Sequence, residues 1–251
     1  MISSAHNPQY KALKKLAESA SARREQGQTL LDGEHLILGY LATNQQPCLV
    51  IVAESAASHP LLTQLTKVPV LLLAQGLFNA LSPVKTPTGL LLLVDIPQGV
   101  APVDARFIVL LEAIQDPGNL GTMLRSATAA GVDAVYLSAG CADAWSPKVL
   151  RGGMGAHFAT QIIEQADLIA IAQAFDGIVC ATALDAPNSL FHTDLTGKVG
   201  FAIGNEGAGL SAPLRAVTKC AITIPMPGQI ESLNAAAALA VCVFERVRQL
   251  G

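Results

Sequence analysis

Gly200-Phe-Ala-Ile-Gly-Asn-Glu-Gly-Ala-Gly-Leu-Ser211 is the stretch on which the fold turns. Val199 to Ile203 is an uninterrupted apolar run, read as a buried strand. Glycines follow at 204, 207 and 209, and Leu210 to Val217 then reads as a helix. A glycine-rich loop between strand and helix lets backbone N–H and C=O groups approach a ligand closely. No Gly-Lys-Ser/Thr follows, so this is not a P-loop, and the glycine spacing does not match G-x-G-x-x-G. One carboxylate, Glu206, sits in the middle. Taken alone, the segment reads equally well as a strand-to-helix turn with a solvated glutamate.

Two further segments have the same character. Upstream, Gln115-Asp-Pro-Gly-Asn-Leu-Gly-Thr-Met-Leu-Arg-Ser-Ala127 follows a strand at Phe107 to Leu111. Asp116-Pro117-Gly118 is a turn signal, Asn119 is placed to N-cap a helix over Leu120 to Ala130, and Gly131 ends it. The stripe Leu120, Met123, Leu124, Ala127 turns to the core and leaves Arg125 beside it. Downstream, Ile224-Pro-Met-Pro-Gly-Gln-Ile-Glu-Ser-Leu-Asn-Ala235 leaves the last strand. Ser232 or Asn234 opens a final helix of about Leu233 to Leu250, with an apolar stripe at Leu233, Ala237, Ala240, Val241, Phe244 and Val247. A capped helix with a surface arginine, and a rigid loop ending in a cap, are the plain alternatives.

Around these segments short apolar runs alternate with helical patterns twice. Residues 30–96 give a small α/β layer with strands at Cys48 to Ala53, Pro69 to Leu73 and Gly89 to Ile96. Pro97-Gln-Gly-Val-Ala-Pro102 is the best linker candidate. The alternation restarts at Phe107, and its strands are continuous apolar runs, as in a parallel sheet covered on both faces. The expected domains are 1–98, a linker at 99–105, and 106–251.

Composition excludes disorder: 251 residues are 51% hydrophobic and only 14% charged. Mean hydropathy is +0.43, yet the longest apolar run, Ala235 to Phe244, is about half of a membrane span. The start, MISSAHNPQYKALKK, lacks the apolar core of a signal peptide. Five dispersed cysteines without a C-x-x-C pair argue against a zinc site and a disulfide framework, and fit a cytoplasmic protein. The net charge of −3 speaks against nucleic acid only until it is divided. Residues 1–30 carry a net +3, from Lys11, Lys14, Lys15, Arg23 and Arg24 against Glu18 and Glu25. Residues 31–105 and 106–251 each carry −3. The basic stretch reads as one amphipathic helix with Tyr10, Leu13, Leu16, Ala17 and Ala20 on its apolar side. It is either a solvated face or a footprint for a phosphate backbone.

Together, the three segments resemble the motifs of the SpoU-like (TrmH-type) RNA methyltransferases of the SPOUT class. Asp116, Pro117, Asn119, Gly121 and Arg125 match the first motif; Gly204 to Ser211 matches Gly-Asn-Glu-Gly-x-Gly-Leu-Ser; Ile224 to Gly228 and Ser232 to Asn234 match the third. Ser146-Pro-Lys-Val-Leu-Arg151 and Gly155-Ala156 also match, with Gly152-Gly153 where relatives have Ala-Ser. The N-terminal half, with Asn7, Pro8 and Lys11 opening a basic helix before a turn at Leu30 to Glu34, is similar to the family's small α/β/α substrate-binding domain. The resemblance implies an α/β fold of that domain plus a C-terminal α/β trefoil-knot methyltransferase domain, a homodimer, and S-adenosylmethionine as cofactor.

It also implies roles. Ile203, Gly204, Asn205, Ile224, Met226 and Leu233 would contact the cofactor. Arg125, Asn119, Glu206, Ser232 and Asn234 would form the catalytic set. Lys11, Lys14, Lys15, Arg23 and Arg24 would face RNA. The implied reaction is methyl transfer to a ribose 2′-hydroxyl, with no metal and no membrane. Ribosomal RNA is favoured over tRNA as substrate, because tRNA-specific relatives usually lack the N-terminal domain. Arg125 would serve proton removal or, as a permanent cation, would stabilise a neighbouring phosphate and the developing alkoxide. A non-catalytic RNA-binding paralogue would keep the fold without the intact motifs. A nucleotide-dependent enzyme on an ordinary doubly wound sheet would carry a phosphate fingerprint, which is missing here.

Overall fold

Asn7 and Pro8 start the first helix. The Asn7 side chain accepts from the N–H groups of Gln9 and Tyr10, and Pro8 supplies a preset φ at the first helical position. The structure, a computed structural model, describes residues 1–82, 84, 87–205 and 207–251. It divides into two units, Met1–Pro97 with Trp145–Phe158 and Gln98–Ala144 with Ala159–Gly251.

The first unit runs α1 (Pro8–Glu18), α2 (Ala20–Gln26), β1 (Gln28–Asp32), α3 (Glu34–Leu41), β2 (Leu49–Ala53), β3 (Val70–Leu73), α4 (Gln75–Leu81) and β4 (Leu90–Asp95). Its sheet has the order β1-β4-β2-β3, with β4 antiparallel to both neighbours and β2 parallel to β3. Tyr10, Leu13, Leu30, Ile51, Phe78 and Leu91 build its core. The turn expected at Leu30 to Glu34 is instead the end of β1, which pairs with β4 before Gly33 at φ 111° breaks it. Leu30 and Leu31 are both buried, so no alternation announced the strand.

The single basic helix expected within residues 1–30 is two helices. Ser19 interrupts it in extended backbone and accepts from the Ala22 N–H at 3.3 Å, starting α2. Arg23 then folds back on α1. Its guanidinium donates to the Leu16 carbonyl and, at 3.2 Å, to that of Ala17, and the residue is only 4% exposed. Those carbonyls lie in the last turn of α1, where no intrahelical donor remains. Arg23 therefore leaves the expected RNA-facing set. Lys11, Lys14, Lys15 and Arg24 are exposed, with Lys14 in a loose pair with Glu18 at 3.9 Å.

The second unit runs β5 (Phe107–Leu111), α5 (Pro117–Ala129), β6 (Ala134–Leu137), α6 (Pro147–Gly153), β7 (Gln161–Ile163), α7 (Leu168–Ala174), β8 (Ile178–Thr182), β9 (Asn188–Ser189), β10 (Val199–Ile203), α8 (Ala212–Val217), β11 (Cys220–Thr223) and α9 (Ala235–Leu250), except that α6 lies in the segment grouped with the first unit. Among the described residues its sheet has the order β7-β6-β5-β10-β8-β11-β9, parallel throughout. Every residue of β5, β6 and β10 is buried, which requires cover on both faces. Leu168 and Ala172 of α7 and Leu214 of α8 pack on one face with Ile108, Leu110 and Ala202. On β5 and β10, Phe107 and Phe201 meet edge to face at 6.0 Å, and the Arg246 guanidinium of α9 lies 4.3 Å over the Phe107 ring.

The ends of α5 show both a correction and an agreement. Asp116, not Asn119, caps the helix, accepting from the Asn119 N–H at 2.7 Å. Pro117 takes the first helical position and so moves Asn119 inside the first turn. At the other end Gly131 is left-handed at φ 77°; its N–H donates to Thr128 and that of Val132 to Ala127, each at 3.0 Å. On α9, Ala235, Ala236, Leu239, Cys242 and Val243 face the core. The stripe read from the sequence is its outer side, with Ala237, Phe244 and Val247 exposed, and Leu233 precedes the helix.

The expected linker is tied down. Val100 N–H donates to Gln161 Oε1 at 3.1 Å, and a Cβ on Gly99 would sit 2.1 Å from the Ile162 carbonyl oxygen. Trp145–Phe158, which the sequence reading kept in 106–251, groups with the first unit. Thr29 Oγ1 donates to the Trp145 carbonyl at 2.7 Å, and Tyr40 meets Phe158 edge to face at 5.5 Å. Arg151 also reaches the field of buried Asp32. Burial pushes that carboxyl up, while the Ser82 hydrogen bond and Arg151 pull it down.

All five cysteines are free thiols. Cys180 and Cys220 stand opposite one another in register on β8 and β11, and burial pushes the Cys242 thiol up to about 12. No helix among the described residues is long and apolar enough to cross a membrane.

Truncation of Arg23 to alanine is expected to lower unfolding free energy by about 1–3 kcal/mol, since buried carbonyls lose charged donors. Arg24→Ala is expected to stay within about 0.5 kcal/mol of the parent. Urea unfolding of both variants checks the contrast.

Candidate active site

The site begins where β10 ends. A Cβ on Gly204 would lie 2.2 Å from both the carbonyl carbon and the oxygen of Gly209 and 2.4 Å from the Leu210 nitrogen. No side chain fits there, so the loop doubles back onto its own strand only because residue 204 is glycine. Asn205 holds the returning chain. Its Oδ1 accepts from the Gly207 and Ala208 N–H groups at 2.8 and 3.3 Å, and its carbonyl accepts from the Gly209 N–H at 2.8 Å. Gly209 itself sits at φ 66°.

Cross-ties fix this loop to β5. Asn205 Nδ2 donates to the Ala113 carbonyl at 3.1 Å. Glu112 accepts twice from Ser211, from its N–H and from its hydroxyl, both at 2.7 Å. Ser211 Oγ also accepts from the Leu214 N–H at 3.4 Å and so caps α8. Glu112 was not among the expected site residues. Its sequence signal is a carboxylate placed directly after five apolar residues, at the carboxyl end of a parallel strand, where ligands bind in open α/β sheets.

The loop forms one wall of a cavity of about 460 Å³, within the usual range for small-molecule sites. All six expected cofactor residues, Ile203, Gly204, Asn205, Ile224, Met226 and Leu233, line it, as does Ser232. They come from two segments some twenty residues apart in sequence and meet at the carboxyl ends of β10 and β11. The wall also takes Thr182 to Asp185 after β8, and Arg215 of α8, which the sequence reading did not single out.

Among the described residues, Asn119, Arg125 and Asn234 stand outside the lining. Asn119 and Asn234 are joined: Asn234 Nδ2 donates to Asn119 Oδ1 at 3.0 Å. Asn234 Oδ1 meanwhile accepts from the N–H groups of Ala236 and Ala237, capping α9. One amide thus ties the first turn of α5 to the start of α9. Arg125 lies on the exposed side of α5 and makes no hydrogen bond or ion pair among the described residues, while Leu120, Met123, Leu124 and Ala127 are buried beneath it. Glu206 lies outside the described residues.

Comparison with known proteins agrees with this geometry. Residues 106–244 match the SpoU rRNA Methylase family, and residues 7–92 match the MRM3-like substrate binding domain. A 23S rRNA (guanosine(2553)-2′-O)-methyltransferase of Bacillus subtilis is 34% identical over 97% of both chains. An uncharacterized tRNA/rRNA methyltransferase of a Synechocystis strain is 33% identical over 99% of this chain and 93% of its own. A crystal structure of an AdoMet-bound rRNA methyltransferase from Sinorhizobium meliloti superposes with a TM-score of 0.87 at 26% identity, covering 100% of this chain and 98% of that one. With a family match over more than half its length, and a glycine-walled cavity built from that family's motifs, the chain belongs to the SpoU rRNA methylase family.

Proposed function

We propose that this protein is an S-adenosylmethionine-dependent methyltransferase of the cytoplasm that methylates a ribose 2′-hydroxyl in ribosomal RNA. The observation that carries the reading is the convergence of six residues from two separate motifs on one cavity. Its walls suit an adenosyl group: apolar side chains such as Ile203, Leu210 and Leu233 beside exposed backbone at the Gly204 crossing. The names of the Bacillus relative and the Sinorhizobium structure support ribosomal RNA and this cofactor. A tRNA substrate is the second reading, supported by the broader name of the Synechocystis relative.

When bound, S-adenosylmethionine supplies a methyl group on a good leaving group. The work left to the chain is alignment and proton management. Backbone groups held by Asn205, and the Glu112–Ser211 tie, fix the cavity wall before substrate arrives. Arg125, which makes no hydrogen bond or ion pair among the described residues, would grip the phosphate next to the target ribose and stabilise negative charge growing on its 2′-oxygen. Asn119 and Asn234, locked together, would hold α5 and so the bearing of Arg125. Ser232 would close the lip, and Glu206 would orient Arg125 or the substrate.

The first unit, with exposed Lys11, Lys14, Lys15 and Arg24, would supply a salt-sensitive grip on the RNA backbone. A homodimer is part of the proposal, supported by the outward stripe of α9, where Phe244 is 46% and Val247 37% exposed. The trefoil knot belongs to it too. Its support is the strand order, with β10 inserted between β5 and β8, and the tight return at Gly204.

Arg125→Ala is expected to lower methyl transfer to total ribosomal RNA by at least about a hundredfold, while calorimetric affinity for S-adenosylmethionine is kept. Full turnover in that variant would refute the assignment. Lys14→Glu with Lys15→Glu should weaken RNA binding and flatten its dependence on salt, read by filter binding between low and moderate ionic strength. Phe244→Asp should shift the protein from dimer to monomer in sedimentation velocity.

A further inference from the structure

Among its described lining residues, the cavity has two charged ones, Asp185 and Arg215, and they face each other. Arg215 Nη2 donates to Asp185 Oδ1 at 3.4 Å, and the side chains are 45% and 78% exposed for Arg215 and Asp185. An ion pair so open to water contributes little, and either partner can exchange it for a ligand group. Their backbones, in contrast, are anchored. Ala183 N–H donates to the Ile222 carbonyl at 3.0 Å, and Thr223 Oγ1 donates to the Leu184 carbonyl at 3.3 Å. The helix bearing Arg215 is pinned at its start by the Glu112–Ser211 tie.

We infer that Asp185 and Arg215 form the subsite for the amino-acid end of the cofactor, Arg215 taking the carboxylate and Asp185 the ammonium. The inference rests on the cofactor reading above. A zwitterion carries opposite charges one carbon apart, and a cation and an anion 3.4 Å apart are its complement. A guanidinium meets a carboxylate with two parallel hydrogen bonds. The uncharged adenosyl portion has its counterpart in the apolar wall of Ile203, Leu210, Ile222, Ile224 and Leu233. Exchange of the internal pair for the ligand would make these side chains specificity determinants for the intact amino acid.

The test is calorimetric binding of two ligands, S-adenosylhomocysteine and 5′-methylthioadenosine, which lacks the amino-acid end. Arg215→Gln is expected to weaken S-adenosylhomocysteine by at least about tenfold and to leave 5′-methylthioadenosine unchanged. Asp185→Asn should weaken only the first ligand as well. Unchanged S-adenosylhomocysteine binding in Arg215→Gln, or parallel loss of both ligands, would overturn the inference while the cofactor reading stands. Failure of the unsubstituted protein to bind either ligand would overturn that reading and the inference with it.

Discussion

Two backbone segments lie closer at the end of β10 than any pair of ordinary residues could. Gly204 tolerates the carbonyl of Gly209 at a point where a Cβ would be 2.2 Å away, and one wall of the cavity in the second unit is built on that contact. Once the loop is folded this tightly, its amides must find partners inside it, and Asn205 supplies them. The loop must also be prevented from springing open, and Glu112 does this by holding Ser211 through both of its donors. The cavity is what remains between this closed loop and the carboxyl ends of β8 and β11. Its shape is therefore set by backbone geometry more than by side-chain packing.

Much of this was legible from residue types. Continuous apolar runs such as Phe107 to Leu111 and Val199 to Ile203 became fully buried strands with unchanged bounds, because a parallel sheet covered on both faces leaves no polar alternation to misread. The glycines of the loop and the prolines after β11 marked where ordinary backbone ends. What stayed hidden depends on tertiary partners. Arg23 looks like its neighbour Arg24 in sequence, yet one covers the end of α1 and the other meets solvent. Asn119 looked like a cap because Asn caps helices well, but Pro117 moved the helix start and freed its side chain to meet Asn234. Asp185 and Arg215 lie thirty residues apart, and only the strand order β10-β8-β11 brings them to one cavity.

Polarity is distributed by function in the same unit. The buried side of α9 is apolar from Ala235 to Val243 and ends in Glu245 and Arg246, and the Arg246 guanidinium lies over the Phe107 ring and donates to the Gly197 carbonyl. Arg125, on a helix packed against α9, has no such internal partner among the described residues. A cation already engaged inside the fold cannot grip a substrate, whereas an unengaged one can. The contrast between these two arginines separates structural from functional charge more clearly than the net −3 of the chain.

The grouping of Trp145–Phe158 with the first unit has a consequence for synthesis. The chain leaves the ribosome from its N-terminus, so β1 and α3 emerge long before the segment that supplies partners for Thr29 and Tyr40. By then β5, α5 and β6 of the second unit are already outside. The first unit reaches its full complement of contacts only after Phe158 has emerged, so neither unit is finished as an independent beginning. Birth order and assembly order are interleaved, and a fragment cut at Pro97 would be the first unit with part of its own interior missing.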